Sequence, residues 1–253
     1  MVNLLWSVDM KHLSKLLLSF FVQLLIALMF SASLAHAGTF SVSPVRIFLQ
    51  PRDRATAITI TNDGSTEVVL QADVYDWRQL PNGEDDLQLT EDLVVSPPII
   101  KLAPGARQVV RLARLNVSPP TTQLTYRLIT REIPEIAAAK QGVSVQIALA
   151  LSMPVFVTPI GGKPAMSCSS PIKSPLGLSF TCRNESTTHA QVRSASVKRG
   201  ATELARLENG GYYLAGTQRD LILPMGQVTP GDLELELSLD DGSTPTFALR
   251  LRP

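Results

Sequence analysis

Between Val143 and Val157 every odd position holds a large apolar side chain: Val143, Val145, Ile147, Leu149, Leu151, Met153, Val155 and Val157. The even positions are small or polar over most of the run, as in Ser144, Gln146, Ala148, Ala150 and Ser152. Side chains of a strand alternate between its two faces, so a period of two sustained this long predicts one β-strand with a continuous apolar face. Strands in globular proteins commonly have about five or six residues. At about 3.3 Å per residue this one would reach roughly 50 Å, more than a small sandwich can cover. Part of the apolar face is therefore expected to look outward, toward something other than its own domain.

The rest of the chain beyond Thr39 is β in character as well. Runs rich in Val, Ile, Leu and Thr alternate with turn signals such as Asn62-Asp63-Gly64-Ser65, Leu80-Pro81-Asn82-Gly83 and Pro104-Gly105, and no helical stripe emerges. Residues 39–49 form a strand containing Pro44, which places it at an edge or makes it change sheets there. Further strands are expected over residues 55–61, 67–77, 87–95, 99–102, 107–115 and 124–133. With the long strand this makes eight, close to the seven of an immunoglobulin-like sandwich. Pro159-Ile160-Gly161-Gly162-Lys163-Pro164 has the composition of a linker. A second, smaller β domain is expected after it, with short strands over 176–183, 190–197, 203–207, 211–214, 221–223, 233–239 and 246–252. The expected division is a leader over 1–37, a first sandwich over 38–158, a linker over 159–164 and a second sandwich over 165–253.

The leader is read from three features in series. Met10-Lys11-His12-Leu13-Ser14-Lys15 is basic, residues 16–30 are apolar apart from Ser19 and Gln23, and Ala35-His36-Ala37 is an A-x-A cleavage signal. Together they predict a secretory signal peptide cut after Ala37. The apolar stretch is shorter than the ~20 residues of a spanning helix, so no membrane insertion is expected after cleavage. The remaining chain, about 216 residues, has as many basic as acidic side chains. A neutral protein has no bulk attraction to nucleic acid, and none is expected as a partner. Two cysteines in an exported chain, Cys168 and Cys182, point to a disulfide. Closing a loop of that size stabilises by roughly 3 kcal/mol in the chain-entropy model.

Candidates for chemistry are few. His189 lies in a polar turn, Asn184-Glu185-Ser186-Thr187-Thr188-His189, and reads as a solvated loop residue. Glu84-Asp85-Asp86 reads as a hairpin tip, and no nucleophile elbow or P-loop is present. No enzyme activity, metal or cofactor is expected. Arg46, inside Val42-Ser43-Pro44-Val45-Arg46-Ile47-Phe48, and Arg111, inside Val109-Val110-Arg111-Leu112, interrupt apolar runs. Each either faces solvent from the outside of its sheet or serves as a cationic anchor for a carboxylate, which a guanidinium suits.

Several segments resemble one family. Thr39-Phe40-Ser41-Val42-Ser43-Pro44-Val45-Arg46 is similar to the first strand of the periplasmic chaperones of the chaperone–usher pathway, the PapD-like proteins. Ser96-Pro97-Pro98-Ile99-Ile100-Lys101-Leu102-Ala103-Pro104-Gly105 with Val109-Val110-Arg111-Leu112 resembles their central signature. Tyr126-Arg127-Leu128 with Arg131-Glu132-Ile133-Pro134, and Gln146-Ile147-Ala148-Leu149 with Pro154-Val155-Phe156-Val157, look like the strands that follow. The resemblance implies an all-β protein of two immunoglobulin-like sandwiches in a boomerang, located in the periplasm. It implies pilin or fimbrial subunits and an outer-membrane usher as partners. The seventh strand would complete a subunit's fold by donor-strand complementation, a form of β-augmentation. The donor side chains would be Val145, Ile147, Leu149 and Leu151, with Val143 as a fifth. Arg46 matches the family's carboxylate-anchoring arginine, whereas Pro154 stands where the family has a lysine, as in its archaic branch; Arg111 or Arg127 would then substitute. The alternative reading is an adhesin or carbohydrate-binding sandwich, for which Trp77 and Tyr212-Tyr213 are the available aromatics. An envelope enzyme would need a catalytic group besides His189, and a purely structural long strand would complete its own sandwich.

Overall fold

Alternation of buried and exposed positions builds the molecule strand by strand. The computed structural model describes Gln23 and residues 40–80, 82–134 and 147–253. Apart from Gln23, every regular element among them is a β-strand. The expected leader, except Gln23, and the donor positions Val143 and Val145 lie outside the described residues.

Ten strands form the first sandwich: β1 (Phe40–Ser43), β2 (Ile47–Leu49), β3 (Ala55–Asn62), β4 (Val68–Gln79), β5 (Asp85–Leu89), β6 (Leu93–Ser96), β7 (Ile99–Leu102), β8 (Arg107–Arg114), β9 (Leu124–Glu132) and β10 (Ala150–Val157). One sheet has the order β1-β3-β8-β6; the other has the order β2-β10-β9-β4-β5, with β7 also paired to β4. Ile58, Ile60, Val110 and Leu112 of the first sheet meet Leu70, Val74, Leu128 and Val155 of the second in a dry core. There are more strands than the eight expected because two runs change sheets. Pro44, in a cis peptide with Ser43, separates β1 from β2, which lie in different sheets. The run over 87–95 is likewise two strands, β5 and β6, on opposite sheets.

The second sandwich holds β11 (Met166–Cys168), β12 (Ile172–Ser174), β13 (Gly177–Asn184), β14 (Ala190–Arg199), β15 (Thr202–Tyr213), β16 (Gln218–Pro224), β17 (Gly231–Leu239) and β18 (Thr246–Leu251). β13 pairs with β11, β12 and β16, and a four-stranded sheet has the order β15-β14-β17-β18. Leu178, Phe180, Leu221 and Leu223 pack on Val192, Val197, Leu235 and Leu237. Two strands expected over 203–207 and 211–214 are one, β15. Asn209 and Gly211 take positive φ, 58° and 84°, and the register with β14 shifts between Val192 and Ser194. The glycine therefore makes a bulge inside a strand and does not end it. Cys168 and Cys182 are directly opposite each other on β11 and β13, Cα atoms 4.1 Å apart, and form the disulfide.

Each sandwich pins a turn with a buried asparagine. Asn62 donates to the carbonyls of Thr66 and Leu102 and accepts from the Gly64 N–H. Asn184 donates to the carbonyls of Thr188 and Tyr213 and accepts from the Ser186 N–H. Both amides are thereby satisfied in the interior, as burial of a polar group requires.

Candidate functional site

β10 is paired along its whole length on one side only. Ala150–Val157 runs antiparallel to β9, from Arg131 to Leu124. On its other side β2 covers only Val155–Val157, in parallel. Among the described residues the edge from Ala150 to Pro154 has no neighbouring strand, and in the opposite sheet β1 is likewise an edge, paired there to β3 alone. Between these two edges the sandwich is open along a cleft of about 350 Å³, which Phe40, Val42, Val45, Leu151 and Met153 help to line. A bare strand edge beside exposed apolar side chains is a template for another chain.

The long alternating run divides at this opening. Met153, Val155 and Val157 belong to the core. Leu149 and Leu151 are half-buried against it, and Ile147 is 84% exposed. The strand expected over 143–157 is thus shorter at its described end: Ile147, Ala148 and Leu149 lie outside β10. The Glu132 N–H still reaches the Leu149 carbonyl at 2.9 Å. Beyond that point the described residues offer the run no second neighbour, so regular pairing stops where its partners do.

Register places the basic candidates. Ile47 is opposite Val155 on β2, so Arg46, one residue earlier, falls in the row of Pro154. Arg127 is directly opposite Pro154 on β9. Pro154 is therefore flanked by two arginines whose Cα atoms are about two strand spacings, or 10 Å, apart. Alternation turns this row away from the core, toward the second sandwich. Arg111 lies elsewhere: it is exposed on β8, opposite Ala57 and Ser96, in the other sheet. The structure thus does not place Arg46 and Arg111 on a common sheet.

The next row, Phe48, Phe156, Thr125 and Trp77, meets residues of the second sandwich. Phe156 stacks on His189 at 3.8 Å between ring centroids, nearly parallel, and Trp77 meets Tyr212 edge-on at 5.3 Å. The Arg127 guanidinium lies 3.6 Å from the Trp77 centroid and 5.6 Å from that of Tyr212, and pairs with Asp85 at 3.5 Å. Burial lowers the Arg127 pKa from its ordinary value, against the pull of Asp85. Burial raises the Tyr212 phenol, opposed by the charges of Arg46 and Arg127. Arg46 Nη1 donates to Asp240 Oδ2 and Gln191 Oε1, each at 3.0 Å.

His189 is not a solvated loop residue. It is 8% exposed. Its backbone N–H donates to Gln123 Oε1 at 2.8 Å, and its Nδ1 is 2.8 Å from the same oxygen. Its Nε2 lies 3.8 Å from Asp240. The polar turn that suggested solvation folds against the first sandwich, whose Gln123 and Phe156 meet the ring. Asp240, Gln191 and Gln123 were not legible as part of a site. Asp240 opens the turn Asp240-Asp241-Gly242-Ser243, whose composition is accounted for by the turn alone. Of the aromatics that an adhesin reading would need, Trp77 and Tyr213 are buried, and Tyr212 is half-buried against Trp77. Among the described residues no group of His, Cys, Asp and Glu is placed to hold a metal ion.

Residues 39–163 match the model of the pili and flagellar-assembly chaperone family, PapD N-terminal domain. No curated protein sequence matches the chain. Among solved structures, the CsuC–CsuE chaperone–tip adhesion subunit pre-assembly complex of the archaic Csu pili of Acinetobacter baumannii gives a TM-score of 0.63 at 19% identity, covering 84% of this chain and 98% of that one. The YadV chaperone gives 0.61 at 12% identity, covering 85% and 100%. The Salmonella enterica SafA pilin in complex with the SafB chaperone gives 0.55 at 14% identity, covering 86% and 98%. At these identities the structural likeness is one of fold. The first sandwich carries the PapD N-terminal domain of the pili and flagellar-assembly chaperones, and the second sandwich follows it in the chain.

Proposed function

We propose that the protein is a periplasmic, ATP-independent pilus-assembly chaperone that caps a pilin or fimbrial subunit by adding the edge of β10 to it and delivers the subunit to an outer-membrane usher. The observation that carries the reading is the bare edge from Ala150 to Pro154 beside an open cleft, continued by Leu149 and the exposed Ile147. Main-chain hydrogen bonds to the edge would give affinity, and the alternate side chains would give specificity. Val143, Val145, Ile147, Leu149 and Leu151 are the proposed donors. Each large side chain buried in a subunit groove is worth about 1.5–3 kcal/mol before ordering costs.

The edge also has a direction. A guest strand in line with β2, running parallel to β10, would end in the row of Pro154 and bring its terminal carboxylate to Arg46. Arg46 is the proposed anchor. Arg127, across from Pro154, supports the same seat by position, whereas Arg111 faces solvent from the other sheet.

The reading is tested with Ile147→Asp. The residue makes little contact with its own core, so unfolding free energy should stay within about 0.5 kcal/mol of wild type. Tagged wild-type protein isolated from periplasm should carry a pilin-like polypeptide identifiable by mass spectrometry, and the folded variant should carry none. Equal recovery with the variant would remove the donor-strand reading.

A further inference from the structure

The seat that this reading gives to a guest carboxylate already holds one. Asp240 stands at the start of the turn after β17, and its Oδ2 is 3.0 Å from Arg46 Nη1, with side chains 13% and 35% exposed respectively. The turn that presents it is well fixed. The Asp240 N–H donates to the Gln191 carbonyl at 3.0 Å, the Gly242 N–H to the Leu239 carbonyl, and the Ser243 N–H to Asp241 Oδ1. Asp240 Oδ1 also accepts the Gln191 N–H at 3.3 Å. The carboxylate is thus held at Arg46 by a rigid loop of the second sandwich, with the chemistry that a chain terminus would bring.

A second carboxylate arriving at this guanidinium would meet a charge already neutralised and a like charge beside it, which disfavours both ionised forms. Asp240 has somewhere to go. It retains the Gln191 N–H, and His189 Nε2 stands 3.8 Å away, so leaving Arg46 would not strand it without polar neighbours. We propose that Asp240 is a specificity-determining residue: it occupies the carboxylate seat of Arg46 in the free protein, and a guest's terminal carboxylate must displace it. The inference rests on strand addition at β10. Its consequence is that a free C-terminus adds little to guest affinity in the wild-type protein, and selection falls on the apolar side chains along the edge.

The experiment uses a short peptide alternating valine and threonine, with N-terminal lysines for solubility, made once with a free C-terminal carboxylate and once as the amide. Affinities are measured by calorimetry for wild type, Asp240→Asn and Arg46→Ala. Wild type should bind the two peptides with similar affinity. Asp240→Asn should bind the acid about tenfold more tightly than wild type does, the scale of one charge-assisted hydrogen bond, and bind the amide unchanged. Arg46→Ala should not distinguish acid from amide. Asp240→Asn gaining equally for both peptides, or for neither, overturns the proposal while leaving strand addition intact. Failure of both peptides to bind any of the three proteins overturns strand addition itself, and this proposal with it. Should Asp240→Asn not fold, carbon-detected resonance of the Asp240 carboxyl in wild type decides: it should shift on addition of the acid and not of the amide, and a resonance unmoved by bound acid overturns displacement.

Discussion

Tyr213 ends β15 with its ring in the second core and its hydroxyl buried without a hydrogen-bond partner among the described residues. Burial pushes its phenol up to about 12, with Arg219 pulling the other way. An unpaired buried hydroxyl has given up water for nothing, which costs about 1–3 kcal/mol. Tyr213→Phe should therefore leave stability unchanged or raise it by about 1 kcal/mol, measured by urea unfolding. A clear loss would show that the hydroxyl is satisfied in solution. Asn62 and Asn184 are the opposite case, equally buried and with several partners each.

At the level of the element, β10 and Ile147–Leu149 before it are one alternating sequence in two environments. The same kind of side chain is core at Met153, 3% exposed, and solvent-facing at Ile147. Truncation should separate them. Met153→Ala should cost about 2–4 kcal/mol, from lost burial and the cavity left behind. Ile147→Ala should cost less than about 0.5 kcal/mol in the free protein. Chemical denaturation of the two variants checks the contrast, and equal losses would mean that the run is buried throughout. Pro154 fits the division, because an edge residue without an N–H leaves no ladder donor unpaired.

Across the whole molecule, the first and second sandwiches meet through stacked rings and a small polar cluster. Phe156 on His189 supplies the apolar part, and Gln123, Arg46, Asp240 and Gln191 supply the polar part. Gln79 adds a second polar tie, donating to the Tyr212 carbonyl and accepting from the Leu214 N–H. Burial works to raise the Asp240 carboxyl. It is outweighed by the hydrogen bond and charge of His189, the Gln191 N–H and the Arg46 charge, so the group lies below its ordinary 3.8. A carboxyl depressed by folding stabilises above its unfolded pKa, and that contribution is lost as pH falls through the folded value. The stability difference between wild type and Asp240→Asn should be constant from about pH 7 to 5 and shrink below about pH 4. Urea unfolding at pH 7, 5 and 3 measures it; a difference that grows on acidification would contradict the pairing.

The sequence alone determined what depends on local periodicity and composition. Alternation marked most strands, Pro44 marked either an edge or a change of sheets, and two cysteines behind an expected export signal marked the bridge, because each of these acts through the chain's own neighbours. Periodicity also led to the expectation that residues 143–157 carry more apolar face than one domain needs. It could not say where the surplus began, since Ile147 and Met153 are equivalent in pattern and differ only in whether an opposing sheet lies above them. Composition misplaced His189, because a polar turn is solvated only if nothing folds onto it, and here Gln123 and Phe156 do. Arg46 and Arg111 looked alike as cations in apolar runs; strand order alone put one beside Pro154 and the other on an outer face. Asp240, nearly two hundred residues from Arg46, had no local signal at all. Pairs so distant in sequence are created by packing, and only the tertiary structure decides which carboxylate a guanidinium finds.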